Sequence, residues 1–180
     1  MKLSLVTLAC TYYAALASAG ISYTIEKAAN PTSDQADAYT RMDKAMSLAA
    51  ARYNRLTKRA NKHIRAQYVP GVQTADANMA GANIRFGSNR SYMNERTALH
   101  EIAHTLGVGQ TKAFDQKCSA GNWATALPLL KSWDGNSAKI NCGGGHFWPY
   151  GLNYDNEWSE TNGDRHCLLV DAMLADGLAG

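Results

Sequence analysis

Ile21-Ser22-Tyr23-Thr24-Ile25 alternates apolar and polar side chains, the period of a half-buried strand. Asn30-Pro31-Thr32 breaks that pattern, and Ser33 stands as a helix N-cap with Asp34 and Asp37 in the first turn. A long helix is therefore expected to follow Ser33 and run to about Arg59. Ala36, Tyr39, Met42, Met46, Ala49, Tyr53 and Leu56 recur at steps of three and four and make one apolar stripe, which is core. Arg52, Arg55, Lys58, Arg59 and Lys62 form a basic run that suits a helix C-terminus; Lys58-Arg59 reads as a solvated helix end rather than a processing site. His63 to Val69 alternates again and stops at Pro70-Gly71, a strand with His63 on its surface. Ala82 to Gly87 is a second short strand before Ser88-Asn89-Arg90-Ser91 opens the next helix.

That helix, Thr97 to Leu106, carries H-E-x-x-H and ends at Gly107. Residues four apart lie one above the other on a helix, so His100 and His104 project from one face about 6 Å apart. Imidazoles so spaced grip one zinc ion, each through a ring nitrogen at about 2.0–2.1 Å. Glu101 lies one step around the helix, where it can deprotonate a water. Leu99, Ile102, Ala103 and Leu106 fall mainly on the other side and anchor the helix in a core.

After Gly109 the regular patterns thin out. All four tryptophans, Trp123, Trp133, Trp148 and Trp158, lie here among glycines and asparagines. Trp123 to Lys131 reads as a short helix, Asp134-Gly135-Asn136 as a turn, and Asp164 to Asp176 as a closing helix with Leu168, Leu169, Ala172 and Met173 inward and Gly177 as its cap. The fold class expected is α+β: a small twisted sheet, a long packing helix and the H-E-x-x-H helix, then a loop-rich C-terminal lobe ending in a helix. Residues 20–180 are expected to form one domain, with an upper lobe at 20–109 and a second lobe at 110–180.

His100, Glu101, His104 and Gly107 match H-E-x-x-H-x-x-G, and the chain resembles metzincin metallopeptidases in this stretch. In that family the glycine turns the chain so that a histidine three residues later becomes the third ligand. Here Gln110 stands at that position, and a neutral amide oxygen is a poor zinc ligand beside imidazole. The resemblance implies a zincin of metzincin-like build, a Zn2+ cofactor, and an edge strand along the substrate cleft. Residues 82–87 are the candidate for that strand, able to pair with an extended peptide.

A hydrolytic zinc site takes three protein ligands and leaves one position for water. His146 is the first candidate for the third. Gly143-Gly144-Gly145 before it permits close backbone approach, and the aromatics after it can exclude water. Glu157 is the second, in Asn156-Glu157-Trp158-Ser159-Glu160, which looks like the third-ligand segment of thermolysin-like zincins. His166 and Gln110 complete the set. Met173 is core packing or the apolar floor that metzincins place under the metal. Tyr150 and Tyr154 are candidates for steadying an oxyanion.

Residues 1–19 read as a secretory leader: Lys2, an apolar run from Leu3 to Leu16, and a small-residue cleavage site at Ala17-Ser18-Ala19. The mature chain begins near Gly20, which excludes an oxidative copper site on an N-terminal histidine. Losing Lys2 takes the formal charge from +3 to +2, too weak a bias for nucleic acid or an anionic membrane as partner. Cys10 leaves with the leader, and an oxidising destination favours one disulfide among Cys118, Cys142 and Cys167. Cys118–Cys142 is the first choice, since it pins a Gly-rich insert; a Cys142 thiolate ligand near His146 is the lesser alternative. Asn89-Arg90-Ser91 is a glycosylation sequon. The expected protein is a secreted, monomeric zinc metallopeptidase acting on a peptide or protein, with Glu101 as general base. Its rival is a non-catalytic secreted module that binds glycan or protein through its C-terminal aromatics.

Overall fold

The computed structural model describes residues 20–178; the expected leader lies outside the described residues. The chain is α+β. Strand β1 (Ile21–Glu26) leads into helix α1 (Ser33–Leu56), strand β2 (Lys62–Tyr68), strand β3 (Ala75–Asn78) and strand β4 (Asn83–Phe86). A 3-10 turn at Arg90–Tyr92 precedes helix α2 (Glu95–Thr105). Helices α3 (Lys112–Ala120) and α4 (Ala126–Asp134), the short strands β5 (Asn141–Gly143) and β6 (His146–Trp148), and helix α5 (Glu160–Ala175) complete it.

The main sheet runs β1-β2-β4-β3, with β1, β2 and β4 parallel and β3 antiparallel. Parallel neighbours need a crossover, which α1 supplies between β1 and β2. Strand β4, expected along the cleft edge as residues 82–87, lies inside the sheet with β2 on one side and β3 on the other. The edge belongs instead to β3, whose Ala-Asp-Ala-Asn sequence has no alternation of large apolar residues and becomes a strand through pairing with β4.

Helix α1 starts one residue earlier than its polar run suggests. Thr32, not Ser33, is the N-cap: its hydroxyl accepts from Gln35 N at 3.2 Å while Gln35 Oε1 accepts from Thr32 N at 2.9 Å. The helix ends at Leu56, short of Arg59, because Lys58 and Arg59 turn their amides onto Asp171. Tyr39, Met42, Met46, Ala49 and Tyr53 are buried as expected, whereas Ala36 is exposed. Arg52 is buried too. It ties α1 to Glu95 in α2 (2.7 Å) and to Glu160 and Asp164 in α5 (2.5 Å each).

The second half carries more regular structure than its composition suggests. Helix α3 was not legible as a helix, since Phe114 is its one buried residue. Helix α4 lies three residues later than Trp123–Lys131. Ser159 caps α5 and starts it at Glu160, four residues before Asp164. Cys118 and Cys142 form a disulfide with Cα atoms 5.8 Å apart, which removes Cys142 as a thiolate ligand; Cys167 is free and buried. Met173 lies in the core, as do Leu169 and Ala172, while Leu168 is half-buried.

Candidate metal centre

Asn94 opens α2 by accepting from Thr97 N at 2.9 Å, and Glu95 sits in the first turn, where it favours the helix dipole. Leu99, Ile102 and Ala103 are buried in the core, α2 packs on α1 and α5, and His100 and His104 turn to the cleft. Both rings are aimed by main-chain carbonyls. His100 Nδ1–H donates to Gly151 O and His104 Nδ1–H to Val108 O, each at 2.8 Å. A carbonyl oxygen can only accept, so both protons stay on Nδ1 and both Nε2 atoms keep their lone pairs.

Those two Nε2 atoms face each other at 3.1 Å. Two lone pairs at that distance repel unless a cation lies between them, and the separation is close to the edge of a tetrahedral zinc site. His146 joins them from the start of β6. The nitrogens of His100, His104 and His146 all lie within 4.8 Å of one another, close enough to bind a metal ion. Burial, then the neighbouring His104, holds His100 well below the usual imidazole range; burial is also the main cause of the lower pKa of His104. Neutral imidazoles are the form a metal requires.

His146 arrives through a close backbone contact. Gly107 turns the chain out of α2 at φ +118°, and Gly109 then lies against the β5–β6 turn. A Cβ on Gly109 would meet Gly145 O at 2.0 Å, and its φ of +64° already favours glycine. The disulfide holds the same hairpin from α3, with Cys142 opposite Phe147 and Gly143 opposite His146.

Of the other candidates for the third ligand, Glu157 and His166 are engaged elsewhere, while Gln110 lines the same cleft. Glu157 is taken up by Trp148 Nε1 (3.1 Å) and Asn153 N (2.8 Å). His166 is fully buried, with its Nδ1 2.8 Å from Tyr150 O and its Nε2 3.1 Å from both Tyr53 Oη and Leu99 O. Its ring stacks on Phe147, so it props the ligand loop rather than joining the cluster. Gln110 lines the cleft over the histidines, but it is His146 that stands with His100 and His104. Neither Tyr150, bonded to Asp134 and Arg165, nor the exposed Tyr154 lines the cleft.

The cleft measures about 450 Å³. Glu101 lines it, 5% exposed, and among the described residues its Oε2 has no partner. Desolvation, then Asp76, pushes the Glu101 carboxyl up to about 8. Asp76, Tyr92, Arg96, Thr97 and Asn153 also line the cleft, and none was singled out from sequence. They belong to no recognisable motif, and only the fold brings them beside the histidines.

Buried His166 gives a pH prediction. Burial lowers it to about 4, against a usual 6.5, so the unfolded chain binds more protons between those values. Its contribution to stability is complete above pH 6.5 and lost as pH falls towards 4, by about 3 kcal/mol. Glu101, raised in the folded chain, works in the opposite sense between its ordinary value and about 8. The isolating measurement is the stability gap between the metal-free protein and its His166→Gln variant. That gap is expected to narrow by about 3 kcal/mol from pH 7 to pH 4; a constant gap refutes a neutral buried imidazole.

Among the described residues no helix is long and apolar enough to cross a membrane. No protein-family model, curated protein or solved structure matches this chain.

Proposed function

We propose that this protein is a secreted zinc-dependent endopeptidase of metzincin-like zincin build. The observation that carries the reading is the pair of facing Nε2 atoms at 3.1 Å, joined by a third imidazole in the cleft that Glu101 lines. Three imidazoles with an open position suit zinc, and His100, His104 and His146 would hold it. When bound, the ion supplies Lewis acidity for the carbonyl under attack and for the attacking water. Glu101 takes the proton from that water and passes it to the leaving amine. A cation nearby draws its carboxyl back towards the ionised form that this role needs.

Strand β3 supports a peptide as the substrate. Among the described residues it pairs with β4 alone, and Ala75, Asp76 and Ala77 line the cleft, so its other edge can take an extended chain by strand addition. The formed disulfide fits an oxidising compartment, which supports secretion. No observation favours the rival of a module that binds through its C-terminal aromatics. Trp123 is buried, the other three tryptophans are half-buried, and Trp133 and Trp158 lie under Arg165 and Arg52.

Metal analysis of the purified mature protein is expected to find one zinc per chain, and a chelator is expected to stop cleavage of a general protein substrate. Zinc that stays substoichiometric after zinc is supplied removes both the site and the enzyme.

A further inference from the structure

His100 is aimed by one carbonyl, Gly151 O, 2.8 Å from its Nδ1. That carbonyl stands in a stretch with no ladder of its own. Residues 149–153 belong to no helix or strand, and Tyr150 and Leu152, on either side of Gly151, have φ of +65° and +58°. Residues other than glycine keep a left-handed backbone only where their surroundings fix it. The orientation of a ligand therefore depends on a segment that does not hold itself in place.

His166, in α5, grips both sides of that contact. Its Nδ1 is 2.8 Å from Tyr150 O, the carbonyl just before Gly151, and its Nε2 is 3.1 Å from Leu99 O, the carbonyl just before His100. The Tyr53 hydroxyl lies within reach of both Nε2 (3.1 Å) and Leu99 O (3.3 Å), so the bridge to α2 is direct or passes through that hydroxyl. The ring is fully buried and stacks on Phe147, the neighbour of His146, with centroids 5.8 Å apart and an interplanar angle of 16°. Packing by itself calls for no imidazole here: Leu169, Val170 and Met173 fill the core from the same helix, and burying a polar ring has a desolvation cost that they avoid.

We propose, resting on the zinc reading above, that His166 is a positioning residue of the metal site: it clamps the Tyr150–Leu152 segment to α2 and so keeps Gly151 O on His100 Nδ1. It acts through two main-chain carbonyls, and through Phe147 on the strand that carries His146. Groups that orient the ligands of a metal are typically worth about 10–100-fold in metal affinity.

The test compares His166→Phe, which keeps a ring for Phe147 and loses both hydrogen bonds, with Leu169→Ala, which removes buried contacts from the same helix and no hydrogen bond. Zinc affinity by chelator competition and the absorption spectrum of the cobalt(II) form are read on the folded proteins. His166→Phe is expected to bind zinc about tenfold or more weakly and to change the cobalt spectrum. His166→Gln, whose amide can hydrogen-bond the same carbonyls, is expected to recover most of the affinity. Leu169→Ala is expected to lower the unfolding temperature and leave both readouts as in wild type. Where His166→Phe does not fold, the smaller His166→Leu takes its place with the same expectations. Wild-type affinity without the imidazole, an equal loss in Leu169→Ala, or no recovery in His166→Gln overturns the proposal. If the wild type takes up no zinc, the zinc reading fails by itself, and nitrogen NMR of the metal-free proteins decides the clamp. A His100 ring protonated at Nδ1 in wild type and exchanging between tautomers in His166→Phe supports it; one tautomer in both overturns it.

Discussion

Changing Glu101 to Gln is expected to leave zinc bound and to lower hydrolysis by about 10³-fold or more. The two side chains have the same shape, so the helix and the three imidazoles stay as they are. What disappears is a group that can accept a proton. The Glu101 Oε2 is buried and, among the described residues, has no hydrogen-bond partner. His100→Ala and His104→Ala are expected to lose metal and activity together. Metal content and peptide cleavage, measured on the same preparations, separate these cases. Equal cleavage by wild type and Glu101→Gln removes Glu101 from the mechanism.

The second large effect is expected at the third imidazole. His146→Ala should weaken zinc binding by orders of magnitude while leaving most of the core folded, because His146 is half-buried in a hairpin at the cleft. Gly109→Val should act in the same direction without touching a ligand. Its added side chain collides with Gly145 and pushes the β5–β6 turn, and His146 with it, away from α2. Competition against a chromogenic chelator gives the affinities, and thermal unfolding of the metal-free proteins checks the fold. Wild-type affinity in His146→Ala eliminates it as a ligand. Wild-type affinity in Gly109→Val shows that the hairpin finds its place without that contact.

Periodicity was enough for β1, α1, β2, β4 and α2, because each buries one face and so must repeat apolar residues at its own period. The boundaries moved where caps decided them, as at Thr32 and Ser159. Strand β3 was invisible for the opposite reason. Ala75-Asp76-Ala77-Asn78 buries little, and its conformation comes from the β4 backbone beside it. The same holds for β5 and β6, three residues each.

In the site, the local part was written in one turn of helix. A spacing of four puts His100 and His104 on one face in any sufficiently regular helix, and Glu101 follows between them. The chemistry of that triplet needed no fold to be recognised. The convergence of His146 did. Glycines before a histidine permit close approach without saying what is approached, and Glu157 and His166 offered suitable atoms too. Only packing decided among them: Gly109 against Gly145, Cys118 bonded to Cys142, and Glu157 and His166 drawn into hydrogen bonds of their own. The period of a helix is a property of neighbours in sequence, whereas the meeting of residues some forty apart depends on how every intervening element buries its surface.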